Sequence, residues 1–260
     1  MLTYKQSIIL TFILLLFGIR ARTLAEDKEP SAKDILGMWH FDEGQGEVAK
    51  DSSGNGNNLR LAGATWTEGR KGKCLSFDGK GSCAFLEKLS PELELSCSEF
   101  TISCWIKPEY EYPQTMLILS NAPLSASPGF RFGFYYGLLE FCSGDGKKFW
   151  NVRTPKFKDG KIPGKALQYG AWFKGIISSR WYYIAVTYKD GLYTIYVDGR
   201  IVCEKKEEAV FPAKHRLVIG NSNPKDPNSS YKDLIDELEI LQRAKSGKEI
   251  IAEVFPGEYF

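Results

Sequence analysis

Carboxylates are the residues of this chain with types and spacing suited to chemistry. Asp233-Leu234-Ile235-Asp236-Glu237-Leu238-Glu239 puts four acids into seven residues. Strand alternation sets Asp236 on the face of Leu234, Leu238 and Ile240, the face an apolar core would claim. An inward carboxylate must be hydrogen-bonded, paired or metal-bound, because an uncompensated buried charge is very costly. Two solutions stand open. Asp236 accepts backbone N–H groups of a neighbouring strand, or it ligates calcium, which takes hard oxygen donors from carboxylates and carbonyls. Glu237 and Glu239 fall on the other face and are expected to meet solvent at the edge of the domain.

Hydrolytic chemistry finds little support in the same residues. Glycoside cleavage needs two carboxylates about 5–9 Å apart across a cleft, and neighbours on one strand do not by themselves make that cleft. His40 and His215 are the only histidines. Neither has a partner visible in the sequence, both read as surface residues, and no nucleophile elbow is present, so a serine-type triad is unsupported. Cysteine and histidine spacing gives no zinc site. Asp51-Ser-Ser-Gly-Asn-Gly56 matches the first half of a calcium loop, but Ala62 stands where the bidentate glutamate belongs, so the stretch is expected to be a turn.

Sugar binding requires exposed aromatic faces beside a few hydrogen-bonding groups. Trp39, Trp66, Trp105 and Trp181 fall inside strand patterns and are expected in the core. Tyr110, Tyr112, Trp150, Tyr169 and Trp172 sit in or near irregular stretches and are the expected ligand-binding aromatics, with Tyr135, Tyr136 and Phe173 as further candidates. The competing role for each is a plug sealing one end of a sandwich. Lysines 156, 158, 161, 165 and 174 surround Tyr169 and Trp172, a mixture that suits an acidic glycan or a solvated loop.

These groups need strands to hold them. Trp181 to Gly199 (WYYIAVTYKDGLYTIYVDG) reads as two alternating strands joined by Asp190-Gly191 and closed by Asp198-Gly199, turn pairs that tolerate positive φ. Leu36–Phe41, Gly72–Gly79, Phe100–Lys107, Met116–Ser120, Phe130–Tyr136, Leu138–Cys142, Phe149–Arg153 and Leu234–Leu241 carry the same signal. About a dozen strands with turns every 8–12 residues predict an all-β fold. A short helix is expected within 245–254.

Residues 1–25 read as a secretory signal peptide, with Lys5, an apolar run of 12 residues from Ile8 to Ile19 and small residues at Thr23 and Ala25. Residues 26–35 form a polar leader and 36–260 the folded domain. A retained membrane anchor is the alternative for the first segment. Its removal leaves 31 basic against 32 acidic residues, so no basic field recruits nucleic acid and no integral membrane segment remains. The expected location is secreted, periplasmic or at the cell surface. Of six cysteines, Cys83 and Cys97 flank a loop and form the expected disulfide, while Cys74, Cys104, Cys142 and Cys203 read as reduced.

Seven motifs then line up in one order. They are WHFDEGQG at 39–46, DSSGNGNN at 51–58, GKCLSFDG at 72–79, FTISCWIKP at 100–108, the 181–199 hairpin, RLVIGNSN at 216–223 and YKDLIDELEILQRAKSGKEI at 231–250. Together they resemble the LamG-like jelly-roll domains of the concanavalin A-like lectin/glucanase superfamily, over residues 36–252. The resemblance implies an all-β, two-sheet antiparallel jelly-roll sandwich with its first and last strands adjacent. It implies a binding site on the concave face or the loops at one end, and a structural calcium near the terminal strands with Asp42 or Asp78 assisting Asp236. The superfamily's β-glucan-cleaving members carry a Glu-x-Asp-x-x-Glu strand, which 233–239 lacks. The expected function is therefore an exported non-catalytic binding module for carbohydrate or a surface glycoprotein. The alternatives are a glycoside hydrolase or lyase of the same superfamily and a protein-binding adhesion domain.

Overall fold

The structure, a computed structural model, describes residues 31–88, 93, 95, 98–108, 114–123, 127–154, 180–207, 215–222 and 229–257. The expectations for the export signal, Cys97, Tyr110, Tyr112, Tyr169 and Trp172 lie outside these residues.

Sixteen strands run through them: β1 (Ile35–Trp39), β2 (Val48–Ala49), β3 (Leu59–Ala62), β4 (Thr65–Glu68), β5 (Lys73–Asp78), β6 (Cys83–Leu86), β7 (Glu99–Lys107) and β8 (Met116–Ser120) come first. The rest are β9 (Gly129–Tyr135), β10 (Leu138–Gly144), β11 (Phe149–Arg153), β12 (Tyr182–Lys189), β13 (Leu192–Val197), β14 (Arg200–Lys206), β15 (Val218–Ile219) and β16 (Lys232–Leu241), followed by helix α1 (Gly247–Val254). They form two antiparallel sheets of eight strands each. The first runs β14-β13-β12-β7-β16-β5-β4 with β1 also on β16, and the second runs β11-β10-β9-β8-β15-β6-β3-β2. This is the jelly-roll sandwich expected from the sequence, with the first and last strands paired. No helix among the described residues is long and apolar enough to cross a membrane.

The central hairpin shows how local chemistry sets register. Asp190 and Gly191 both take positive φ, +49° and +77°. That backbone matches the twist of the strands it joins and pairs Lys189 with Leu192. The inward row of β12, Tyr182-Ile184-Val186-Tyr188, then aligns with Ile106, Cys104, Ile102 and Phe100 of β7. All eight are buried. Phe100 meets Phe141 of the opposite sheet at 5.5 Å between ring centres and Tyr188 beside it at 5.6 Å. Burying each such ring stabilises the fold by about 1.5–3 kcal/mol.

The stretch from Asp51 to Gly56 is a turn, as its missing glutamate implies. Asp51 accepts the N–H groups of Met38, Ser53 and Asn57 at 2.9–3.1 Å, pinning the loop to β1. The five described cysteines are free thiols. Cys83 is buried, which pushes its thiol up to about 11, and its expected partner Cys97 is not among the described residues.

Helix α1 closes the first sheet from outside. Ser246 Oγ accepts from the Glu249 N–H at 3.3 Å, and Glu249 returns a carboxylate to the Ser246 N–H at 2.7 Å, a reciprocal cap. Ile250 is thereby seated on Tyr183, Ala185 and Tyr196, a small apolar cluster separate from the main core.

Candidate functional site

The acidic strand expected to carry chemistry is β16, and it lies inside a sheet rather than at the domain's edge. One side pairs with β7 over Leu234–Asp236 and Glu239–Leu241. The other side pairs with β5 over Lys232–Ile235 and with β1 over Leu238–Leu241. Where the partner changes, the register against β7 slips between Asp236 and Glu239, and Glu237 takes φ +49°. This is a β-bulge, which re-aims side chains locally. The expected face is corrected accordingly. Ile235, Leu238 and Ile240 enter the core, Leu234 does not, and Asp236 leaves the core row.

Asp236 is nevertheless fully buried, beneath the β4–β5 turn. Its Oδ2 accepts the N–H groups of Arg70 at 2.8 Å and Lys71 at 3.0 Å, and its Oδ1 accepts that of Glu237 at 2.9 Å. The turn fits only because it is bounded by glycines. A Cβ on Gly69 would lie 2.7 Å from Asp236 Oδ2. One on Gly72, at φ +61°, would lie 2.0 Å from Asp42 Oδ1.

The bulge builds one wall of an open groove of about 470 Å³ on the outer face of the first sheet. The β4–β5 turn forms a second wall, and the end of α1 with Pro256 forms a third. Trp105 of β7 lies in it, with the Arg70 guanidinium 4.8 Å above the ring and Tyr183 edge-on at 5.5 Å. Glu237 enters the groove half-buried, its Oε2 accepts from His40 Nδ1 at 2.7 Å, and Lys71 Nζ lies 3.6 Å from its Oε1. Glu239 pairs with Lys245 at 2.5 Å, and Lys245 pairs with Glu253 of α1 at 2.7 Å. Glu237 and Glu239 are thus bound in ion pairs within a groove, where solvent exposure was expected. His40, expected to stand alone, is the partner of Glu237 because β1 adjoins β16 at the bulge.

Trp105 also departs from its expected place in the core. The signal was in its own strand: Phe100, Ile102, Cys104 and Ile106 form the core row of β7, and Trp105 follows Thr101 and Ser103 on the other. Trp150 lies half-buried on β11 opposite Ser143. Alternation places it with Val152 on the core side, while Phe149, Asn151 and Arg153 face out.

The three aspartates considered for calcium each serve a different turn. Asp42 Oδ1 accepts the Lys73 N–H at 2.8 Å, and Asp78 Oδ1 accepts those of Lys80 and Ser82 at 2.8 and 3.2 Å. Each of the three carboxylates is thus engaged by backbone N–H groups of its own turn, and among the described residues no three His, Cys, Asp or Glu side chains gather into a cluster. Thermal unfolding of the protein is accordingly expected to show the same midpoint in EDTA and in millimolar calcium. A rise with calcium that Asp236→Ala abolishes would restore the metal assignment, since ligand at 100-fold its dissociation constant adds about 2.7 kcal/mol.

Among curated proteins, none matches the chain in sequence. Domain 4 of AbnA, a GH43 extracellular arabinanase from Geobacillus stearothermophilus solved in complex with arabinotriose, superposes with a TM-score of 0.61 at 20% identity. That match covers 84% of this chain and 97% of the domain. The binding domain of Paraclostridial Mosquitocidal Protein 1 gives 0.64 at 18% identity, covering 86% of this chain and 52% of that one. The botulinum neurotoxin serotype G binding domain gives 0.64 at 14%, covering 85% and 51%. The chain therefore spans about half of each toxin domain. At these identities the likeness is one of fold. The profile of the Laminin_G_3 family, in the concanavalin A-like lectin/glucanases superfamily, matches residues 87–251, and the chain belongs to that family.

Proposed function

We propose that this domain is an exported, non-catalytic carbohydrate-binding module whose sugar site is the groove at the β16 bulge. The observation that carries the reading is the pairing of Trp105 with Arg70, His40 and Glu237 in one open concavity. A sugar has an apolar C–H face and a rim of hydroxyls. An aromatic ring beside fixed charged groups offers complements to both, and about 470 Å³ lies within the range of small-ligand sites. The arabinotriose bound by the arabinanase domain of similar fold supports the ligand class. Binding without cleavage is favoured because Glu237 and Glu239 are neighbours on one strand, each engaged by a side chain of the groove wall, and not a pair of carboxylates facing each other across a cleft.

Isothermal titration with arabinotriose tests the assignment. The wild-type protein is expected to bind, and Trp105→Ala to weaken binding at least tenfold, about 1.4 kcal/mol, with no reducing sugar released by either. Equal affinity in the variant would remove the groove from consideration. Sugar release abolished by Glu237→Gln would replace the binding module with a glycoside hydrolase.

A further inference from the structure

The ring at the centre of the groove is not bare. Trp105 is half-buried, lines the groove and packs against the small cluster of Tyr183, Ala185, Tyr196 and Ile250. With Tyr183 at its edge, its face is what remains for a ligand to stack on. The Arg70 guanidinium already lies over that ring, 4.8 Å from its centre. A flat guanidinium on an indole is a cation–π contact, and it also fills the place that another flat group would take. A sugar and Arg70 therefore compete for one surface.

The contact is built to be reversible. The backbone of Arg70 is bolted down, its N–H bonded to Asp236 Oδ2 at 2.8 Å behind a Gly69 that has no room for a Cβ. Its side chain, in contrast, is exposed. Among the described residues the acids of the groove are engaged by other cations, Glu237 by His40 and Lys71 and both Glu239 and Glu253 by Lys245. A guanidinium leaving the ring thus returns to water without breaking an ion pair. Only an exposed cation–π contact is given up, equivalent to a factor of about two to five in affinity.

We infer that Arg70 is a displaceable cover on Trp105, a specificity-determining residue that admits to the ring only ligands able to replace its contact. The inference rests on the groove being the ligand site. A small apolar molecule meets a charged, hydrated surface where the indole would otherwise attract it. A ligand whose hydroxyls also reach His40 and Glu237 gains enough elsewhere in the groove to lift the cover.

Acrylamide quenching of tryptophan fluorescence reads the cover without any ligand, and titration calorimetry with arabinotriose reads its effect on binding. The chain has six tryptophans, so the Trp105 signal is the difference between wild type and Trp105→Phe. Arg70→Ala is expected to raise the quenching of Trp105 at least twofold and to change nothing when added to Trp105→Phe. It should tighten arabinotriose binding about two- to fivefold. The bond to Asp236 runs to the backbone N–H, so the variant keeps it. Arg70→Lys, which keeps the charge without the flat fork, should fall between wild type and Arg70→Ala in both readouts, and supplies the test if the alanine variant unfolds at a lower temperature. Unchanged quenching in Arg70→Ala would overturn the inference. So would an arabinotriose affinity that stays equal or falls, a fall making Arg70 a direct sugar contact. Raised quenching of Trp105 with no arabinotriose bound by either protein would keep the cover and remove the sugar assignment.

Discussion

Replacing Asp236 by alanine is expected to destabilise the domain by about 2–4 kcal/mol in urea unfolding. Three backbone donors lose their acceptor at once, and each stranded donor costs about 1–3 kcal/mol, an amount moderated where the exposed β4–β5 turn lets water in. The damage should reach the groove, because Arg70 and Lys71 are held over Trp105 and Glu237 through those same N–H groups. Asp236→Asn, which keeps an acceptor oxygen, should cost much less. The pH dependence has a definite sign. Burial, followed by the Glu237 charge and opposed by the N–H groups of Lys71 and Arg70, raises the Asp236 carboxyl to about 6. An unfolded aspartate titrates near 3.9. The native state therefore binds the extra proton between these values. The associated stability is complete below about 4 and is lost as pH rises through about 6, at roughly 1.4 kcal/mol per unit of difference. Wild-type protein should thus unfold at lower urea at pH 7 than at pH 5, and Asp236→Asn should flatten that difference. An opposite slope surviving in wild type but absent from Asp236→Asn would mean that the N–H groups, not burial, dominate the site.

Lys245→Met should be similarly costly, about 3–5 kcal/mol, the range for removing one partner of a buried ion pair. The side chain is only 4% exposed and bridges Glu239 on β16 to Glu253 on α1. Burial alone would lower its pKa, but Tyr183, Glu239 and Glu253 together hold it above the ordinary lysine value. Without the ammonium, Glu239 is left in the groove wall at 13% exposure with no cation. Combining Lys245→Met with Glu239→Gln should recover much of the loss, because the stranded charge goes with its partner. Urea midpoints of the two single variants and the double give the coupling directly. A double variant no better than Lys245→Met would show that the lysine acts through packing of its methylenes rather than charge.

Strand positions were legible in the sequence because turns and alternation are local properties. Met116–Ser120, Phe149–Arg153 and Leu192–Val197 occupy the strands where period-2 patterning and flanking turn residues place them. The groove was harder to see because a bulge is created by a change of neighbours. Nothing within DLIDELEIL announces that β5 stops and β1 begins opposite Asp236. Glu237 adopts its left-handed backbone without the glycine that would have marked it. Alternation through the slip therefore sent Asp236 inward with Leu234, when Ile235 takes that place. The His40–Glu237 pair was invisible for the same reason, since 197 residues separate its members. Trp105 was a different matter. Its polar neighbours Thr101 and Ser103 already defined an outward row, and the size of the indole obscured it.

The position of β16 also governs how this protein must be assembled. It is the latest strand in sequence order, yet it lies in the interior of its sheet and joins β1, β5 and β7, with Ile35 paired to Leu241. Until it arrives, the edges of β5 and β7 have no partner in the middle of the sheet, and the acceptor for the β4–β5 turn is missing. Closure of such distant pairings is entropically slow. A nascent chain of this fold would expose adhesive strand edges for most of its synthesis, which makes it a natural client for holding chaperones.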